Sequence, residues 1–163
     1  MNPQAFTENY NNRNPMITYN ETDEKDLELI SGMWKKLIHH LESQSKYFPI
    51  DYQNLIFEKR KEQLKNIAKS GKLRLDIVKN GETYLGYSIS SIVDEKGFID
   101  SLYVDRKYRN EGIGNKLMNR ALNWMELHNV SDFEILVSYG NEDALKFYEK
   151  FEFYPKHLIL KKK

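Results

Sequence analysis

The sequence predicts an α/β fold, with strands and helices alternating along a chain of 163 residues. Three observations carry that reading. The stretch Gly97 to His128 passes from a β-branched and aromatic run (Phe98, Ile99, Leu102, Tyr103, Val104) through a polar, glycine-bearing turn into a helix. Ile113, Leu117, Ala121, Leu122, Trp124 and Met125 mark the buried face of that helix. A second unit follows, with Phe133 to Ser138 as a buried strand and Asn141 to Phe151 as a short helix. Upstream, Leu73 to Val78 and Tyr84 to Val93 flank Lys79-Asn80-Gly81-Glu82, where Asn-Gly favours a tight hairpin.

The remaining elements fall in order around these. Residues 1–15 are rich in Asn and poor in apolar side chains, which predicts a flexible leader before one domain spanning 16–163. Met16 to Tyr19 suits a first strand. Thr22 or Asp23 can cap a helix carrying Leu27, Ile30, Met33, Trp34, Leu37, Ile38 and Leu41. A break at Ser43 to Pro49 precedes a second helix from Tyr52 to Lys69, with Leu55, Ile56, Leu64, Ile67 and Ala68 inward and Gly71 ending it. Phe153 to Leu160 suits a last strand. The predicted order is β-α-α-β-β-β-α-β-α-β.

Composition excludes several classes. The absence of cysteine removes disulfides, thiolate metal sites and a cysteine nucleophile. A net charge of +1 argues against a nucleic-acid surface. No apolar run approaches the roughly 18 residues of a membrane span, and the N-terminus lacks a signal-like core. The expectation is a cytoplasmic protein without nucleic-acid or membrane partners. The run Lys161 to Lys163 reads as a solvated charge cluster.

The glycine turn is where function becomes legible. Glycines let backbone N–H groups approach an anion, and a helix N-terminus adds roughly half a positive charge. The Walker pattern has no match, and the dinucleotide fingerprint fails where Leu117 replaces its third glycine. The residues present are Arg109-Asn110-Glu111-Gly112-Ile113-Gly114, or R-x-x-G-x-G, after a strand ending Leu102-Tyr103-Val104-Asp105. Downstream, Asn141, Ala144 and Tyr148 form N-x-x-A-x-x-x-Y on a helix after a strand. Together these resemble the two motifs of the GNAT superfamily of acetyl-CoA-dependent N-acetyltransferases.

The resemblance implies a mixed, mostly antiparallel sheet whose fourth and fifth strands splay apart to admit the cofactor, flanked by about four helices. It implies acetyl-CoA as co-substrate and no metal. The pyrophosphate is expected over Asn110, Glu111, Gly112, Ile113, Gly114 and Asn115, with Arg109 as counter-ion. Glu111 departs from the basic or neutral residues commoner there and is expected to face solvent. The pantetheine arm is expected along Leu102, Tyr103 and Val104. Backbone amides near Tyr103 and Val104 would supply the oxyanion donor, and Asn141 would contact the arm, cap its helix, or do both. The family's seventh strand has no counterpart in the sequence, and homodimers, common in the family, remain an expectation by analogy.

Chemistry sets further demands. An alkylamine with pKa near 10.4 costs about 4.6 kcal/mol to deprotonate at pH 7, so a base or a water chain is needed. The leaving thiolate benefits from an acid. Tyr148 is the first choice for that acid, since it holds the position where the family's tyrosine lies near the coenzyme sulfur; its helical neighbours Ala144, Phe147 and Phe151 would also suit a core residue. Asp100 is the one carboxylate inside the strand before the glycine turn and, under strict alternation, shares a face with Phe98 and Leu102. It is a base, or a bystander to a water relay. Some relatives carry a glutamate where Leu136 stands here.

The acceptor pocket is expected between the first two helices, around His39, His40, Glu42, Tyr47, Phe48 and Asp51. Neighbouring helical residues such as His39 and His40 diverge by about 100° and cannot share one ion. Three activities fit: acetylation of a small-molecule primary amine in a ternary complex, acetylation of protein lysines or N-termini, and non-catalytic acyl-CoA sensing.

Overall fold

The computed structural model describes residues 16–163; the expected leader, 1–15, lies outside the described residues. Strand β1 (Ile17–Thr22) leads into a 3₁₀ turn, Glu24–Ile30, capped by Asp23, whose Oδ1 accepts from the Lys25 N–H at 3.0 Å. Leu27 and Ile30, three residues apart, are both fully buried, and the three-residue period of a 3₁₀ helix puts them on one side. Helix α1 (Ser31–Gln44) continues directly, followed by α2 (Pro49–Gln53) and α3 (Phe57–Ser70).

The expected helix from Tyr52 is therefore two helices. Leu55 and Ile56, expected inward, lie in the break between them and are about half exposed, while Phe57 takes the buried place against Trp34 with ring centroids 5.3 Å apart. Strands β2 (Lys72–Asn80) and β3 (Thr83–Val93) form the expected hairpin. Its two-residue loop starts at Gly81, whose φ of +58° is cheap for glycine alone. β4 (Lys96–Val104), α4 (Ile113–Leu127), β5 (Asp132–Ile135) and α5 (Glu142–Glu149) complete the order.

The sheet runs β1-β2-β3-β4-β5, antiparallel except for the parallel β4–β5 pair. Helices cover both faces. On one, Leu27, Ile30, Met33, Trp34 and Leu64 pack against Leu75, Ile77, Tyr87, Ile89 and Tyr103. On the other, Met118, Ala121 and Met125 of α4 and Tyr148 of α5 meet Ile92 and Ile99, while Ile113 and Leu117 meet Val78, Leu85 and Val104. Asp76, fully buried on β2, accepts from Arg74 Nε at 2.6 Å and Arg120 Nε at 2.8 Å, which ties α4 to the sheet through a paired charge.

Two expected strands differ. Phe133 to Ser138 is a strand only as far as Ile135, and Leu136 is 91% exposed rather than buried. Phe153 to Leu160 forms no strand. Glu152 turns the chain at φ +64°, Pro155 has no N–H to give a ladder, and Lys161 is held instead by Asp51 at 2.8 Å.

Candidate active site

The site begins where β4 loses a neighbour. The β4–β5 ladder runs from Lys96 opposite Asp132 to Ile99 opposite Ile135, then stops. Beyond Ile99, β4 remains paired with β3 as far as Val104 opposite Gly86. Its other edge is open. The Asp105 N–H bonds to Leu85 O at 2.8 Å across β3. Strand amides alternate in direction, so the N–H of Tyr103 also points toward β3, while those of Leu102 and Val104 point into the opening. Of the two amides expected to meet an oxyanion, Val104 has the required direction.

Side chains along this half take both faces. Leu102 and Val104 pack toward α4, and Tyr103 is buried under α1, 6.2 Å from the Tyr87 ring. At the upper end of the opening, Asn110 (φ +65°) and Gly112 (φ +79°) turn the chain into α4. A Cβ on Gly112 would meet nothing within 4 Å, so the cradle is open above it. The first backward bond of α4 is Lys116 N–H to Gly112 O at 3.0 Å, which leaves the N–H groups of Gly112, Ile113, Gly114 and Asn115 unpaired within the helix. Ile113 is buried beneath the turn, whereas Glu111 and Asn115 are exposed. Arg109 donates from Nε to Val104 O at 3.0 Å, and its guanidinium lies 6.0 Å from the Tyr103 ring. Free amides, a helix dipole and a guanidinium at this turn, without an acidic side chain buried among them, are the chemistry that an anion site requires.

The far wall is α5. A Cβ on Gly114 would lie 3.3 Å from the Phe147 ring, so glycine lets α5 approach the start of α4 closely. Tyr148 is 9% exposed, and burial pushes its phenol up to about 12. It therefore stays protonated across the physiological range. Asn141 Oδ1 accepts from the Ala144 N–H at 3.3 Å, so its side chain caps α5.

Asp100 differs from its expected placement. Ile89 faces Ser101 but Ser90 faces Ile99, so Asp100 is the extra residue of a β-bulge. The bulge breaks strict alternation: Asp100 turns toward α3, away from the face of Leu102. Asp100 Oδ2 accepts from Ser91 Oγ at 2.6 Å, and Oδ1 lies 3.7 Å from Arg60. Burial raises its carboxyl above the usual range, opposed by the Ser91 hydrogen bond and the Arg60 charge. Next to it, Tyr87 and Ser101 share a hydrogen bond of 2.9 Å. Burial also raises the Tyr87 phenol, and the neighbouring phenols of Tyr103 and Tyr148 add to the rise.

Sequence reasoning passed over Arg60 and Ser91, since only the bulge brings Asp100 to them. It left open which of His39 and His40 lies on the helix surface and which borders the pocket. His39 is exposed beside Glu42 at 3.6 Å. His40 is partly buried, and that burial, then the Arg109 charge, holds its imidazole below the usual value. Among the described residues no group of three or more His, Asp or Glu side chains is placed to hold a metal ion. Among them, too, no helix is long and apolar enough to cross a membrane.

The sheet is opened beside its fourth strand, with a glycine turn at one end of the opening and a buried phenol on the facing wall. The model of the Acetyltransferase (GNAT) family matches residues 34–153, and the chain belongs to that family. The search of curated proteins finds no match. Among solved structures, the fold resembles AAC(6')-Iy in complex with a CoA-S-monomethyl-acetylneamine bisubstrate analogue (15% identity, 91% of this chain and 98% of that one, TM-score 0.67). It also resembles a predicted acetyltransferase with acetyl-CoA from Clostridium acetobutylicum (18% identity, 91% and 96%, TM-score 0.66). A GCN5-related N-acetyltransferase from Ralstonia eutropha JMP134 gives 18% identity, 90% and 98% coverage and a TM-score of 0.70.

Proposed function

We propose that this acetyltransferase moves an acetyl group from acetyl-CoA to the primary amine of a small molecule, by direct attack in a ternary complex. The observation that carries the reading is the unpaired edge of β4 from Asp100 to Val104, bounded by the cradle and by Tyr148. Acetyl-CoA, when bound, supplies a thioester whose carbonyl carbon is the electrophile.

The chain's residues have separable tasks. The amides of Gly112 to Asn115, with Arg109, hold the pyrophosphate. The Val104 amide donates to the carbonyl oxygen, where negative charge develops. Tyr148 gives its proton to the departing sulfur. Asp100, raised by burial, takes the proton that the amine loses, directly or through water. A cleft of about 570 Å³ between the α1–α2 loop and residues 158–163 has a volume suited to a compact acceptor. The bound analogue in AAC(6')-Iy, which carries an acetylneamine, supports the same class of acceptor.

The test is thiol release from acetyl-CoA with a panel of primary amines, lysine peptides and no acceptor, with products read by mass. The reading predicts release that depends on a small primary amine and a product heavier by one acetyl group. Release with peptides alone, or only in the absence of acceptor, would overturn it.

A further inference from the structure

Helix α3 carries a cation on its apolar face. Phe57, Arg60, Leu64 and Ile67 recur at three- and four-residue spacing, and Phe57 and Leu64 are buried in the core. Lys61, the next residue, pairs with Glu28 and Glu58 instead. The Arg60 side chain is 27% exposed and reaches the bulge in β4. There its Nη2 donates to the Asp100 carbonyl O at 3.4 Å and stands 3.7 Å from Oδ1. From β3, the buried Ser91 donates through Oγ to Oδ2 at 2.6 Å. The two carboxyl oxygens are therefore unlike. Oδ2 holds a short hydrogen bond, whereas Oδ1 feels the guanidinium from beyond hydrogen-bond reach and has no donor among the described residues.

A carboxylate that works as a base needs a fixed aim and one oxygen left free. Asp100 is the first residue of the half of β4 that β5 leaves unpaired, and 11% of its side chain stays exposed. We propose that Ser91 and Arg60 are positioning residues for Asp100: the Ser91 hydroxyl pins Oδ2, the Arg60 guanidinium anchors the bulge at the Asp100 carbonyl, and Oδ1 is the atom that receives the proton the amine loses. The proposal rests on Asp100 being the base of the acetyl transfer and names the residues that aim it. The proton passes from nitrogen to Oδ1, and its bonding pair stays on nitrogen. The groups around Asp100 are Arg60 from α3 and, from β3, Ser91 and the Tyr87 phenol, which shares its hydrogen bond with Ser101. Burial raises the Asp100 carboxyl, and the Ser91 hydrogen bond and then the Arg60 charge oppose that rise. A group that merely stapled the bulge would leave this titration where it is.

The experiment is carbon NMR titration of the full chain labelled at its aspartate carboxyl carbons, with the Asp100 resonance identified by its loss in Asp100→Asn. Arg60→Met should move the Asp100 midpoint to higher pH by about one pH unit, and Ser91→Ala by at least as much. Arg60→Lys keeps the charge and should recover most of the parent midpoint. The two deletions act from different elements, a helix and a strand, so if one variant misfolds the other still decides. With a primary amine that the enzyme turns over, the rising limb of kcat/KM against pH should move by the same amount in each variant and vanish in Asp100→Asn. An Asp100 midpoint unmoved by either deletion would overturn the proposal and leave Arg60 a staple of the bulge. A limb that persists in Asp100→Asn would defeat instead the base assignment beneath it, whatever the NMR midpoints do.

Discussion

The two halves of β4 share one strand and have opposite fates. From Lys96 to Ile99 the strand has partners on both edges, and Gly97 is packed so tightly that a Cβ would lie 2.5 Å from Met125 Sδ and 3.0 Å from the Phe133 ring. From Asp100 to Val104 one edge has no strand partner, and Gly112, in the turn beyond it, faces open space. A glycine therefore signals packing at Gly97 and access at Gly112. Backbone groups left without a strand partner need another, and a ligand that offers hydrogen bonds along its length is one solution.

The contrast can be broken by substitution, and the effects should descend in a definite order. Gly112→Val places a β-branched residue at φ +79° above the cradle. It should weaken acetyl-CoA by more than about a hundredfold in calorimetry while the far-UV circular dichroism spectrum stays that of the parent. Retained affinity would remove the turn from the coenzyme site. Tyr148→Phe should lower kcat about a hundredfold with acetyl-CoA affinity nearly unchanged, because it deletes a proton donor and keeps the ring. Loss of binding instead would assign the residue to packing.

Gly97→Ala, in the paired half, should do the reverse. It should cost about 1–2 kcal/mol in denaturant unfolding from overpacking, with kinetic constants preserved. Asp100→Asn has the subtlest signature. A base whose carboxyl is raised is protonated, and idle, to a higher pH than an ordinary carboxylate. Hence kcat/KM should climb with pH through that raised value, and the asparagine variant should lose the climb. Stability has the opposite slope at this residue: the folded state holds the proton more tightly than the unfolded, so its contribution is full at low pH and lost as pH rises through the folded value. An unchanged rate profile in the variant would leave proton transfer to water.

Much of this arrangement is legible in the sequence because single residues force it. Gly112 is demanded by a left-handed turn, Asn141 by a helix N-terminus, Gly81 by the hairpin, and the apolar spacing from Ile113 to Met125 by one buried helix face. What stayed hidden depends on pairing between distant segments. The bulge that turns Asp100 to Ser91 and Arg60 is a property of two strands in register, and no residue type announces it. Leu136 and the residues 158–160 look like strand from their side chains, yet they lie exposed, since apolar content says nothing about whether a partner edge is available. The break at Leu55 and Ile56 was masked in the same way by helical spacing on both sides of it.

The most direct trial of the central claim, that the bare half of β4 and its cradle form the coenzyme slot, is thermal unfolding with acetyl-CoA, CoA and NAD. At about 100 times its dissociation constant a ligand adds roughly 2.7 kcal/mol, which for a domain of this size raises the midpoint by about 5–10 °C. The account predicts that rise with acetyl-CoA and CoA, none with NAD, and none with any of them in Gly112→Val. A midpoint unmoved by acetyl-CoA in the parent protein, or moved equally in Gly112→Val, would contradict it.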